Sequence, residues 1–349
     1  MGSDLSIIEG AYLRDILEQP SAMMETWKGL KAQPALVDLI ARLRRGDFTQ
    51  VVLTGMGSSY HALHPLYLEL VDQRLNPIEM ETSELIYYGQ RFFDSSTLLV
   101  AVSQSGRSAE MVRMLELNQK RASVVGVTNH AESPLAKMAD AVILTWAGEE
   151  STVSCKTYVC ALMALKWLAD LLCLRNSAGT LMDFRAVCPA VEDYLAGTAS
   201  HARAFANELC GIRSLFLVGR GSSLATVGVG ALTIKESGRF HAEGMSSAAF
   251  RHGPIEMLGP EIFVLVFGGD PRTRALNERL FKEIREYGAK AFLCSSDSEF
   301  APARLPNLPE SVRPILEILP VQMITLALGA LAGREAGLFE RASKITSTE

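Results

Sequence analysis

Apolar residues along this chain alternate between two rhythms. Short unbroken runs, among them "VVLTG" from Val51, "LLVAV" from Leu98, "LFLVG" from Leu215 and "FVLVF" from Phe263, carry no charged interruption. A strand with one wet face alternates polar and apolar residues; strands that are apolar throughout belong to parallel sheets covered on both faces. Between such runs the apolar positions return every three or four residues, as in "ALVDLIARLRR" and "YVCALMALKWLADLLCL", which predicts helices. Strands and helices alternating in this way predict an α/β chain built on doubly wound parallel sheets.

The pattern occurs twice. "VVLTGMGSSYHALHPLYLEL" begins at Val51 and "LFLVGRGSSLATVGVGALTI" at Leu215, each a strand, then G-x-G-S-S, then a helix; Gly55 and Gly219 lie 164 residues apart. The next strands correspond as well, "LLVAVSQSG" with "FVLVFGGDP", and a third pair follows in "SVVGVTN" and "AFLCSSD". The duplication predicts two tandem α/β domains, over 46–185 and 186–335. Helices over 1–45 precede them, and 336–349 follow as a tail in which "GLFERASKITSTE" shows no core pattern.

Ligands of open α/β sheets bind beyond the carboxyl ends of the strands, where both G-x-G-S-S turns and "SQSGRS" fall. Ser58, Ser59, Ser103, Gln104, Ser105 and Ser108 offer hydroxyls and an amide at helix starts, the chemistry that holds an anion against a helix N-terminus. Plain N-capping by serine would use the same residues. The second half carries Gly-Gly-Asp-Pro in place of "SQSG", and Asp270 would repel an anion, so a phosphate is expected in the first domain alone. The third glycine of a dinucleotide fingerprint is replaced by Tyr60 and Leu224, and no G-x-x-x-x-G-K-[ST] loop exists. Phosphate held by hydroxyls and backbone N–H groups is therefore preferred to a nucleotide, and no cofactor is expected.

A second cluster lies in "GALTIKESGRFHAEGMSSAAFRHGPIEML", residues 230–258, where Lys235, Glu236, His241, Glu243 and His252 interrupt a helical pattern. A carboxylate and an imidazole together can move a proton beside a carbonyl and open a sugar ring. The plainer alternative makes Lys235 and Glu236 a solvated face and His241 a satisfied core residue. Gly253 and Pro254 end the helix and leave His252 in a loop. Net charge −5 and a pI near 5.8 argue against nucleic acid. No apolar run approaches the roughly 20 residues that span a bilayer, and "MGSDLSIIEG" lacks a signal peptide's basic start. With six scattered cysteines read as reduced thiols, this points to the cytoplasm and away from membranes. His61 and His64, without a nearby carboxylate in the sequence, make a poor metal set, and no metal is expected.

The segments "EQP" (18–20), "GMGSSYHA" (55–62), "SQSGRSAE" (103–110), "AGEESTVSCKTY" (147–158), "GALTIKESGRFHAE" (230–243), "RHGP" (251–254) and "ASKITSTE" (342–349) occur in order along the whole chain. Together they resemble the isomerase half of glucosamine-6-phosphate synthases, a pair of sugar isomerase (SIS) domains. The resemblance implies a sugar 6-phosphate ligand and a homodimer with the active site at its interface. It matches Ser59, Ser103, Gln104, Ser105 and Ser108 to phosphate-binding positions and Val153 to a backbone contact with the sugar. Glu236 matches the base that shuttles a proton between C1 and C2. His252 matches the ring-opening histidine, which the family takes from the neighbouring subunit. Lys344 matches the lysine that forms an imine with the open-chain ketose. The family's lysine in "ALKLKE" is Thr233 here, Arg107 replaces a glutamate, and the serine stretch after Val153 is one residue short. Glutamine is not expected to supply ammonia within this sequence. The expectation is an isomerising amino-sugar-6-phosphate deaminase in which a desolvated Glu236 titrates above the usual carboxylate range. An aldose–ketose isomerase, a fructosamine-6-phosphate deglycase, a synthase subunit fed with ammonia and a non-catalytic sugar-phosphate sensor are the alternatives.

Overall fold

A computed structural model describes residues 7–346. Nine strands are present among them: β1 (Gln50–Gly55), β2 (Pro77–Glu81), β3 (Thr97–Val102), β4 (Ser123–Thr128), β5 (Ala141–Leu144), β6 (Ser214–Gly219), β7 (Ala242–Ser246), β8 (Ile262–Phe267) and β9 (Lys290–Cys294). They form two wholly parallel sheets, ordered β2-β1-β3-β4-β5 and β7-β6-β8-β9. Every residue of β3, β4, β6 and β8 is buried, as their unbroken apolar runs require of strands covered on both faces. The doubly wound α/β architecture expected from the sequence is present in both halves.

The chain divides into two compact units that do not follow chain order. The five-stranded unit takes Ser21–Glu150, Lys156–Arg185 and the residues from Arg341 onward. The four-stranded unit takes Ser151–Cys155, Ala186–Glu340 and the N-terminal residues to Pro20.

In the five-stranded unit, the helix Pro34–Arg45 buries Leu36, Leu39, Ile40 and Leu43, the apolar stripe its sequence displays. Proline opens it at the first position and Gly46, at φ 80°, closes it in the left-handed conformation. One face of the sheet rests on a cluster that includes Val52, Leu85, Phe92, Phe93, Met111 and Met114.

In the four-stranded unit, Phe216, Phe250, Val264, Val266, Leu280 and Ile284 lie in the corresponding cluster. Gln19 and Gln322, both buried, exchange reciprocal amide hydrogen bonds of 3.0 and 2.9 Å, and Thr152 donates to Asp15 at 2.9 Å. One expectation fails here. The helical stretch Glu310–Leu331, with a mean hydropathy of 1.7, is long and apolar enough to cross a bilayer. Its most apolar window is 94% buried, packed against helices Thr198–Leu209 and Ser223–Thr233, so its all-round apolarity is that of a core helix. All six cysteines are unbonded, and all but Cys210 are buried.

This core helix carries one acid. Glu317 is wholly buried; its Oε1 accepts from Ser223 Oγ at 2.8 Å, while Oε2 has no hydrogen-bond partner. Burial pushes the Glu317 carboxyl up to about 8, against the opposing pull of the Ser223 hydrogen bond and the Arg313 charge. A folded-state value above the unfolded one means the native chain holds the extra proton. Stability is then full below about 4.5 and falls as pH rises through about 8. Glu317→Gln keeps an acceptor for Ser223 and is expected to melt higher than wild type at pH 8 by the equivalent of a few kcal/mol. That advantage is expected to vanish near pH 5; a difference independent of pH would contradict the assignment.

Candidate active site

In the five-stranded unit, β1 and β3 are hydrogen-bonded neighbours, with Gly55 paired to Val102. The turns that follow them therefore emerge side by side at the point where the strand order reverses, the position at which open sheets bind ligands. After β1, Gly57 takes φ +51° and the short helix Gly57–Ala62 begins, with Ser58 and Ser59 half-buried in its first turn. A Cβ on Gly55 would stand 3.0 Å from the Val102 carbonyl oxygen and 3.1 Å from the Tyr60 nitrogen, so only glycine allows this helix to start so close to β3.

After β3 the chain folds back on its own hydroxyls. Ser103 Oγ accepts from the Gly106 N–H at 3.1 Å, and Ser105 Oγ accepts from the Arg107 N–H at 3.2 Å. A hydroxyl that accepts in this way keeps its own O–H to donate elsewhere. The Gln104 carbonyl takes bonds from the Asn129 N–H and the Thr128 hydroxyl, which anchors the turn to the end of β4. Gly106, at φ +61°, leads to Ser108 and the helix Ala109–Asn118, where Ser108 makes no side-chain cap. Plain capping thus does not account for the Ser108 hydroxyl. Ser103 and Ser105 are buried, whereas Gln104 and Ser108 are half-exposed.

Side chains the sequence did not single out complete this region. Gln104 Nε2 lies 3.3 Å from His130 Nε2, and His64 Nδ1 lies 3.2 Å from Glu79 Oε2. The sequence reading gave the His61–His64 pair no carboxylate, but β2 brings Glu79 to His64 from 15 residues away. Among the described residues no three His, Cys, Asp or Glu side chains are grouped to hold a metal ion. Burial, with Glu79 and Glu81 adding to it, pushes the Tyr60 hydroxyl above its ordinary value. Lys344, from the tail, is half-buried and donates to Glu150 at 2.5 Å. Glu150 stands within the quoted "AGEESTVSCKTY" yet offered no signal of its role, because its partner lies 194 residues away.

In the four-stranded unit the helix Ser223–Thr233 does not run on regularly, as its pattern suggested; it widens into a π-helical turn, Ile234–Gly238, that carries Glu236. Such turns interrupt the regular hydrogen-bond ladder and recur at functional sites. Glu236 is half-buried and Lys235 exposed, while Thr233 is 1% exposed and its hydroxyl has no hydrogen-bond partner. The turn is held from outside: Arg334 donates to the Gly238 carbonyl, and Arg239, at φ 47°, donates to the Leu338 carbonyl and pairs with Glu340.

His252 closes the helix Ser247–Arg251 ahead of Gly253 (φ +142°) and is exposed, the loop position its sequence indicated. His241 departs from expectation. Its side chain is 58% exposed, with Nδ1 2.6 Å from Ser214 Oγ and Nε2 3.6 Å from Glu243, so it is a surface residue and not a core one. Val153 is buried, at 1% exposure, within the short piece of this unit that interrupts the other. Asp270 occupies the turn that matches "SQSG". Although burial pushes it upward, hydrogen bonds from Arg272 hold it below the usual carboxylate range.

A sequence model of the SIS domain matches residues 47–171 and 208–327, one copy on each sheet. The chain belongs to the SIS domain family. Among curated relatives, glutamine–fructose-6-phosphate aminotransferase (isomerizing) of Pyrococcus horikoshii is 32% identical over 343 residues, 93% of this chain and 55% of the relative. The chain thus spans about half the length of the curated relatives it matches. Of solved structures, the C-terminal domain of glucosamine-fructose-6-phosphate aminotransferase from Francisella tularensis superposes with a TM-score of 0.82 at 20% identity, covering 94% of this chain and 98% of that one. Glucosamine-6-phosphate deaminase from Thermotoga maritima gives 0.75 at 17% identity, covering 97% and 100%. Both structures share the two-sheet SIS fold with this chain.

The SIS turn after β3 depends on Gly106, where an added Cβ would lie 2.3 Å from Ser133 Oγ and 2.6 Å from Ser133 Cβ. Ser133 caps the helix Pro134–Met138 by accepting from the Ala136 N–H. Gly106→Ala combines left-handed strain with loss of that cap and is expected to cost about 2–3 kcal/mol in urea unfolding. A cost below about 0.5 kcal/mol would show that the turn relaxes freely.

Proposed function

We propose that this SIS protein is an isomerising deaminase of an amino-sugar 6-phosphate of the glucosamine 6-phosphate type, giving a ketose 6-phosphate and ammonia. The single observation that carries the reading is the "SQSGRS" turn. Buried Ser103 and Ser105 are oriented by backbone N–H groups and retain hydroxyl donors, at the start of a ten-residue helix and at the sheet's switch point. A phosphate monoester fits that donor set, with Ser58, Ser59, Gln104 and Ser108 as its further ligands. The names of the aminotransferase relative and of the deaminase neighbour are consistent with a hexose 6-phosphate.

The chemistry then assigns the remaining residues. His252 protonates the ring oxygen as the sugar opens. Glu236 takes the C2 proton of the 2-amino aldehyde as the electrons move to the carbonyl oxygen, which takes up a proton. That C2 proton then returns to C1 while the amine gives up an N–H proton, leaving a C1 alcohol and a C2 imine. Water adds to that imine, ammonia leaves, and the ketose remains. Lys344 holds the open-chain ketose as an imine at C2, its amine replacing the carbonyl oxygen, which departs as water. Val153 contributes a backbone contact to the sugar, and His252 reaches the substrate of a neighbouring copy in a cytoplasmic homodimer. Anchoring the phosphate supplies binding energy that orients C1 and C2, which raises the rate of the proton transfer itself.

Plain aldose–ketose isomerisation is the second reading, favoured by Thr233, a buried hydroxyl where the family pattern has a lysine. Measurement of ammonia released from glucosamine 6-phosphate separates the two. Glu236→Gln is expected to lower turnover by about 10²–10⁴ while leaving fructose 6-phosphate affinity within about threefold. A mutant retaining a tenth of the wild-type rate would remove Glu236 from the mechanism.

A further inference from the structure

Glu150 lies outside every strand and helix, in the stretch that follows β5, yet its side chain is 0% exposed. A carboxylate is tolerated in such a place only with donors and a countercharge around it. Two donors come from Thr157, in the first turn of the helix Lys156–Leu172: its N–H to Oε1 at 3.0 Å and its hydroxyl to Oε2 at 2.6 Å. This grip fixes the plane of the carboxylate and leaves Oε2 directed at the Lys344 ammonium, 2.5 Å away.

The tail that brings Lys344 there is otherwise exposed: of residues 341–346, Lys344 alone is half-buried. The tail has a second anchor, since the Thr346 carbonyl accepts from the Ala109 N–H at 3.1 Å. That N–H is the first of the helix that follows "SQSGRS". The ion pair and the backbone bond tie this exposed segment to the loop proposed to take the phosphate.

We propose that Glu150 is the positioning residue of Lys344, seating its nitrogen for attack on the carbonyl carbon of the open-chain sugar. The ammonium first gives a proton to solvent water; the amine then attacks, and the carbonyl oxygen leaves as water. The inference rests on the reading of Lys344 as the imine-forming residue. An amine on an exposed terminal segment samples many rotamers, whereas attack needs one approach to the carbonyl carbon. The buried carboxylate selects that approach, and Thr157 holds the carboxylate. Thr157 therefore acts on Lys344 through Glu150.

The test uses the full-length protein, fructose 6-phosphate as probe and borohydride to reduce any imine, with the adduct located by peptide mass. Wild type is expected to carry the adduct on Lys344. Glu150→Gln is expected to lower adduct yield about tenfold or more while fructose 6-phosphate affinity stays within about threefold. Glu150→Asp, which keeps the charge on a shorter arm, is expected to restore part of the yield. Thr157→Val keeps the N–H donor and loses the hydroxyl, so it tests the grip in a protein whose carboxylate is intact; its yield is expected to fall by about threefold. An undiminished adduct in Glu150→Gln, or a loss of sugar affinity equal to the loss of adduct, would overturn the positioning role. A wild type that binds the sugar but forms no adduct on Lys344 would instead remove the imine reading itself, and the proposal with it.

Discussion

The arrangement of this protein depends on a steric constraint: a helix can start against the end of a neighbouring parallel strand only where the linking residues leave room. At Gly55 the Val102 carbonyl and the Tyr60 nitrogen occupy the space a side chain would need, and at Gly106 the Ser133 side chain does. Because these two positions carry no Cβ, the turns after β1 and β3 can lie flat across adjacent strand ends. In the turn after β3, Ser103 and Ser105 are then held by backbone N–H groups at 3.1 and 3.2 Å. Parallel pairing supplies the rest, since it places all the strand ends of a sheet on one side.

The two sheets began from one pattern and have used it differently. In the five-stranded unit the hydroxyls after β3 bond to backbone and retain donors. In the four-stranded unit the corresponding turn carries Asp270, held ionised by Arg272, and the helix that follows β6 offers Ser223, whose hydroxyl is spent on the buried Glu317. The ionised Asp270 thus stands where the other half presents hydroxyl donors, and an anionic ligand would meet repulsion there. What this half supplies instead is the π-helical turn with Glu236, braced at Gly238 by Arg334 and at Arg239 by the Leu338 carbonyl and Glu340.

Among the described residues, several buried carboxylates are met by donors or countercharges, and Glu317 contrasts with them. Glu150 is met by Thr157 and Lys344, Asp170 by Lys166 and Arg175, and Asp15 by Thr152. Glu317 lacks comparable compensation at Oε2, and its raised proton affinity is the physical result. The contrast bears on the proposed chemistry. A lysine meant to attack a carbonyl gains from a partner that fixes its place, and Glu150 is the one buried carboxylate described here that reaches into the tail.

The sequence by itself determined the α/β class, the duplication and six of the nine described strands. It did not predict β2, β5 or β7, and β7 lies within the stretch 230–258 that reads as helical. Runs such as "LLVAV" and "LFLVG" suit only a sheet covered on both faces, and glycine, serine and proline mark turns by local chemistry. It also placed Ser103, Ser105 and His252 at strand and helix ends, because those ends are written in neighbouring residues. Tertiary structure decided whatever depends on residues far apart in the chain. Glu150 gains its meaning from Lys344, 194 residues away, and Glu79 turns the His61–His64 neighbourhood from a bare pair into a hydrogen-bonded one. The apolar span Glu310–Leu331 is a core helix only because other helices cover it. His241, apparently a core residue, lies at the surface because β7 places it beside Ser214 and Glu243. Local pattern follows from local sterics and hydrogen bonding, whereas burial and pairing of charge are properties of the packed chain.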